Sequence, residues 1–333
     1  MLFLVSISLA LAGLAAFFVL RTRRAVRRLE ARWPPLGTFH TVSDRGRPRE
    51  VHLLDEPGNS ALLPVLFVHG ASGNLRDQVG AFRAPVAALP YRERFRSIYV
   101  DRPGCGYTER RREDATPYAQ ADMVAGVLDE LGIERAVICG HSFGSGVALT
   151  TAVTHPDRVA ALALLAPAAY PWPGDLGWPY RVAGLPGLRE IACNTFVLPL
   201  GRRLVPPGIV GTFAPDAVPE GYAEEAAIEL LLRPGNFLAN AADLLAIKRE
   251  AAGLSPRYGE IACPTWILQG SADRVVRATI HAVGLHRAIP QSRMEWHDGV
   301  GHKPDYVFRE RIVRKLVDLA GMERRTPYAE AAQ

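Results

Sequence analysis

Apolar and charged positions are distributed very unevenly along the 333-residue chain. Residues 1–20, MLFLVSISLALAGLAAFFVL, hold no charged side chain. As a helix this run would span about 30 Å at about 1.5 Å per residue, the thickness of a bilayer's hydrocarbon core. No basic residue precedes the apolar core, and its one Ala-x-Ala, Ala10 to Ala12, falls in the middle, so a cleaved leader fits poorly. The expectation is an uncleaved transmembrane anchor over residues 1–20. Arginines 21, 23, 24, 27, 28 and 32 follow it and resist translocation, which predicts a single-pass membrane protein with its main domain on the cytoplasmic side. Trp33-Pro34-Pro35-Leu36-Gly37 breaks the helical run, so residues 21–36 read as a basic juxtamembrane linker.

Beyond residue 37 the pattern changes to short apolar runs separated by helical periodicity. Strands are expected at Glu50–Leu54, Pro64–Val68, Arg96–Val100, Ala136–Cys139 and Val159–Leu165, with helices at Ala119–Leu131 and Gly146–Val153. The alternation lapses from Ala168 to Tyr258. This stretch opens on Tyr170-Pro171-Trp172-Pro173-Gly174 and continues through helices at Tyr222–Leu232 and Asn236–Ala252. Asn236 stands where an N-cap belongs and Gly253 where a C-terminal stop belongs. The rhythm then resumes with strands Thr265–Leu268 and Arg293–Trp296 and helices Thr279–Ala288 and Asp305–Leu319. Alternating units predict an α/β fold, a mostly parallel doubly wound sheet covered on both faces, with the middle block inserted between two strands.

Composition narrows this little. Apolar residues make up 48% and charged residues 22%, which excludes a disordered or fibrous chain. The net charge of +5 is local: removing the six arginines and Glu30 of residues 21–32 from 39 basic and 34 acidic residues leaves 33 of each. A general nucleic-acid footprint is therefore not expected. Cys105, Cys139, Cys193 and Cys263 show no metal-ligand spacing, and neither metal nor organic cofactor is expected.

The chemistry gathers at the ends of the apolar runs. Gly140-His141-Ser142-Phe143-Gly144 is a G-x-S-x-G placed between a strand and a small-residue helix. Glycines flanking a serine permit the sharp turn that lifts its hydroxyl above the sheet, which makes Ser142 the candidate nucleophile. Ser145 is weaker, lacking a glycine two positions before it. A serine hydroxyl needs a base, and the base an orienting acid. Asp273 follows the strand Thr265–Leu268 in QGSADRVV, and His302 follows the last strand in GVGHKP. The order Ser142, Asp273, His302 suits this turn. Asp298 and Asp305 are rival acids, and His297 and His141 are better explained by surface and packing roles. His69-Gly70-Ala71-Ser72-Gly73-Asn74 follows another strand, and the amides of Ala71 and Phe143 are candidate oxyanion donors.

Together HGASGN, DRPGCGYT (Asp101–Thr108), GHSFGS, GSADRVV and GVGHKP resemble the successive sheet-edge loops of the α/β-hydrolase superfamily, from about residue 37 to about 320. The resemblance implies a core of residues 37–167 and 259–321 and a helical cap over residues 168–258. Branches of the superfamily with an aspartate nucleophile are set aside by Ser142. What remains resembles the acyl-transfer branch, of esterase and lipase type, and implies hydrolysis of a carboxylic ester through an acyl-enzyme. Tyr170, Trp172, Trp178 and Phe237 are candidate walls of a pocket for a lipophilic ester. Cleavage of a C–C bond in a dienoic diketone, or of an amide, would use the same residues. A catalytically inactive, membrane-tethered binding protein is the reading from another class.

Overall fold

The computed structural model describes residues 2–174, 177, 180, 185 and 188–322. Eight strands form one sheet: β1 (Thr38–Asp44), β2 (Arg47–Glu56), β3 (Val65–Val68), β4 (Ser97–Val100), β5 (Ala136–His141), β6 (Val159–Leu165), β7 (Thr265–Gly270) and β8 (Arg293–His297). Their order is β1-β2-β4-β3-β5-β6-β7-β8. The pairs β1–β2 and β2–β4 are antiparallel, and the rest are parallel.

Strands β3, β4, β5 and β7 are buried at every position, and the period of two divides their apolar side chains between two cores. Leu66, Val68, Ile138, Leu162 and Leu164 face one side, against Val124 and Leu128 of helix Pro117–Glu130 and Val147 and Leu149 of helix Phe143–Thr154. Val65, Phe67, Val137, Ala163 and Leu165 face the other, against Phe82 of helix Leu75–Ala87 and Ile312 and Leu316 of helix Arg309–Ala320. The doubly wound α/β class expected from the alternation is the one observed. Strand β1 and helix Leu75–Ala87 were not legible in the pattern. The expected terminal helix is two, Pro304–Val307 and Arg309–Ala320.

Between β6 and β7 the chain leaves the sheet. The insertion includes helices Leu188–Thr195, Val197–Phe213, Tyr222–Glu225 and Pro234–Leu254. The last begins two residues before Asn236, with Arg233 at its N-cap, and the Asn236 amide instead donates to the Gly106 carbonyl at 3.1 Å.

The N-terminal expectation needs correction. Leu2–Arg32 is one unbroken helix, so the basic stretch is no separate linker. Its second half lies against the insertion: Leu29 and Trp33 are buried with Leu198, Leu230 and Leu232, Glu30 pairs with Arg233, and Arg32 pairs with Glu224. Among the described residues, which exclude the side chains at most of positions 1–12, no helix is long and apolar enough to cross a membrane. That overturns the expected transmembrane span over residues 1–20, and with it the membrane localisation and cytoplasmic orientation.

Candidate active site

Three strand ends converge. Ser142 follows β5 directly and adopts φ 53°, in the left-handed region that a side chain tolerates only under constraint. The constraint is the packing of its flanking glycines. A Cβ on Gly144 would lie 2.1 Å from the Val68 carbonyl oxygen, and one on Gly140 would lie 2.5 Å from the Gly144 carbonyl oxygen. The turn can form only with glycine at both places, and it leaves the Ser142 hydroxyl above the sheet edge.

His302 comes from the loop after β8, and its Nε2 lies 3.0 Å from Ser142 Oγ. Its Nδ1 lies 2.8 Å from Asp273 Oδ2. With Nδ1–H donating to the carboxylate, Nε2 is left to accept from the serine. All three side chains are buried. Asp273 is fixed by its other oxygen, Oδ1, which accepts from the amides of Val275 and Val276 at 2.8 Å each. Burial pushes the Asp273 carboxyl up, but His302, the Val276 amide and Gln269 outweigh it and hold the group below the usual carboxylate range.

The rivals lie elsewhere. Asp298 is exposed and accepts from Trp296 Nε1 at 2.9 Å. Asp305 is buried against Lys303. Ser145 donates to the Gly140 carbonyl at 2.7 Å, and His297 pairs with Glu295. His141, beside Ser142 in sequence, sends Nε2–H to the carbonyl of His302 at 2.9 Å and so ties the serine turn to the histidine loop.

Ala71 and Phe143 both border the cavity above Ser142. Phe143 opens a helix, so its amide lacks the partner four residues back that interior amides have. Two contacts hold the opposite loop. Asn240 Oδ1 accepts from the Ser72 amide at 2.6 Å, and the buried Arg102 guanidinium donates to the Gly70 carbonyl at 3.2 Å. Arg102 also lies 4.2 Å from the centre of the Phe143 ring and donates to Asp243 of the insertion at 2.6 Å. The sequence placed Arg102 in the Asp101–Thr108 sheet-edge loop but suggested no role for it. The charged pair Asp101-Arg102 following the fully buried strand β4 was the available signal.

The cavity measures about 620 Å³. Trp172 and Phe237 line it, with Leu204, Ile209, Ile247 and Val276. Tyr170 does not. It packs edge-on against Tyr258, 5.4 Å between ring centres, and lies over Gly284. Trp178 lies outside the described residues. Among the described residues the ionised side chains lining the cavity are Asp77 and Lys303, bonded to each other at 2.8 Å.

Residues 64–304 match the family described as alpha/beta hydrolase fold. The chain is 26% identical over 296 residues to a 2-hydroxy-6-oxononadienedioate/2-hydroxy-6-oxononatrienedioate hydrolase of Cupriavidus pinatubonensis, covering 85% of this chain and 94% of that one. A stretch of 106 residues is 37% identical to the dihydrolipoyllysine-residue acetyltransferase component of an acetoin cleaving system of Cupriavidus necator, covering 32% of this chain and 27% of that protein. Among solved structures an esterase of Exiguobacterium antarcticum superposes with a TM-score of 0.66 at 21% identity, over 86% of this chain and 99% of that one.

Proposed function

The chain belongs to the alpha/beta hydrolase fold family, and from that premise we propose that it hydrolyses carboxylic esters of neutral, lipophilic acids or alcohols through an acyl-enzyme on Ser142. The observation that carries the reading is the relay from Ser142 Oγ to His302 Nε2 at 3.0 Å and from His302 Nδ1 to Asp273 at 2.8 Å, opening into an apolar cavity. His302 takes the serine proton as Oγ attacks the ester carbonyl. The Ala71 and Phe143 amides receive the oxyanion. Asp273, held ionised, stabilises the imidazolium, which then passes its proton to the departing alkoxide. Water repeats the sequence on the acyl-enzyme.

Ester cleavage is preferred over C–C cleavage of a dienoic acid for a specific reason. A substrate carboxylate buried in this cavity would need a partner, and among the described residues the one lining cation, Lys303, is already taken up by two carboxylates. The test pairs a fluorophosphonate serine probe with a substrate panel. Wild type should be labelled, Ser142→Ala should not, and p-nitrophenyl esters should turn over at least about 100-fold faster than a 2-hydroxy-6-oxodienoate, a margin of about 3 kcal/mol. Cleavage of the dienoate with no ester turnover would reassign the bond. A folded wild type with neither labelling nor turnover would favour a binding role.

A further inference from the structure

The residue after His302 is a lysine with 2% of its surface exposed. Its ammonium donates to Asp77 Oδ1 at 3.1 Å, to Asp77 Oδ2 at 2.8 Å and to Asp305 Oδ2 at 2.9 Å. The rings of Tyr306, Tyr222 and Phe213 surround it at 4.9, 5.7 and 6.0 Å. Burial pulls the ammonium toward neutrality, and Asp305 and Asp77 more than reverse this, so it stays charged. Burying such a cluster gains little stability over an apolar residue of similar size. What the ions add is direction.

That direction concerns the histidine loop, which is fastened at each residue by a different part of the fold. The Gly301 amide donates to Asp216 of the insertion at 2.7 Å. The His302 carbonyl accepts from His141 at the end of β5. Lys303 reaches Asp77, on the helix that follows the HGASGN loop, and Tyr222 of the insertion donates to the same carboxylate at 2.9 Å. The first two fastenings run through the backbone. Of these three, the Lys303 contact is the one made by a side chain of the loop, beside the His302–Asp273 bond itself.

We propose that Lys303 is a positioning residue for His302: its buried ammonium, clamped between Asp77 and Asp305, fixes the imidazole within reach of Ser142. The proposal rests on the reading of His302 as the base. It predicts a loss in the chemical step with little effect on substrate affinity, because Nζ is engaged by protein carboxylates. Removing the side chain beyond Cβ leaves a vacancy the size of propylammonium. Asp77 and Asp305 there offer carboxylate oxygens within 4.8 Å of one another.

The experiment compares Lys303→Ala with wild type in ester kinetics, with and without n-propylammonium. The expected result is a kcat about 30- to 100-fold lower, KM within about twofold, and saturable recovery of most of kcat with n-propylammonium but not with tetramethylammonium, which has no N–H. Unchanged kcat, a loss carried by KM, or no recovery in a folded variant would overturn the proposal. Should Lys303→Ala fail to fold, the double variant Asp77→Asn/Lys303→Met removes one charge of each sign together. It should keep the fold and show the same kcat loss, and wild-type kcat in it would overturn the proposal. His302→Ala separates the two readings. Normal probe labelling in it refutes His302 as base, whereas loss of labelling there beside a normal Lys303→Ala refutes only the positioning role.

Discussion

Three histidines are built into the fold as neutral hydrogen-bonding groups, and acid should undo them before it undoes the carboxylates. His69 sends Nδ1–H to the Gly70 carbonyl at 2.8 Å while its Nε2 accepts from the Arg102 amide at 3.0 Å. His281 Nδ1 accepts from the amides of Ala169 and Tyr170 at 3.1 and 3.0 Å. A proton on either acceptor nitrogen breaks these bonds, and His141 is equally enclosed. Burial, above all, lowers each from 6.5 to about 4. Between those values the unfolded chain binds more protons than the folded one, so stability falls as pH drops from 6.5 and the loss is complete below 4. At pH 5 the linkage is about 2 kcal/mol per histidine, or about 6 kcal/mol for three, against a typical stability of about 5–15 kcal/mol. Asp77 and Asp273, both held below the ordinary 3.8, lose their contributions only at lower pH and do not act in this window. Calorimetry should therefore show Tm falling by roughly 5–10 °C from pH 7 to pH 5. His281→Asn, whose amide oxygen can take the place of Nδ1 without titrating, should remove about a third of that slope. A wild-type Tm flat across this window, or an undiminished slope in the variant, would refute the reasoning.

Two further outcomes follow from single contacts. In Asp273→Asn the side-chain oxygen should stay with the Val275 and Val276 amides, turning the NH₂ toward His302 Nδ1 and placing the imidazole proton on the wrong nitrogen. Ester turnover should drop about 10⁴-fold, or about 5 kcal/mol, and near-wild-type kcat in a folded variant would place the orienting acid elsewhere. Asp243→Ala strands the buried Arg102 charge and should cost about 3–5 kcal/mol in urea unfolding, and a loss under 1 kcal/mol would mean that Gln120 and the Gly70 carbonyl suffice for the guanidinium.

The sheet was legible because its central strands are short, apolar and separated by helical periodicity, and that pattern has few other solutions. The residues brought together at its edge were legible for a different reason. Ser142, Asp273 and His302 each follow a strand, and the glycines around Ser142 announce a backbone that other residues cannot follow. Helix Val197–Phe213 was not legible, since Pro206, Pro207 and glycines within it argue locally against a helix. Its burial of Leu198 with Leu29 and Trp33, and of Phe213 among the core aromatics, prevails over propensity. Arg102 and Lys303 escaped notice because charge in a sequence reads as surface. Only the fold shows the carboxylates, separated by 141 and 226 residues from their partners, that allow these cations inside.

Arg102 also bears on how freely the insertion could be exchanged between relatives. Its charge belongs to the sheet edge, but its carboxylate partner belongs to the insertion, so neither half is electrically complete alone. Grafting residues 168–258 from another hydrolase would succeed only with donors that present a carboxylate where Asp243 stands, or if Arg102 were replaced in the same step. The two parts are compatible as a matched pair, and Asp243, shared by Arg102 and Arg110, is the charge on which the match turns.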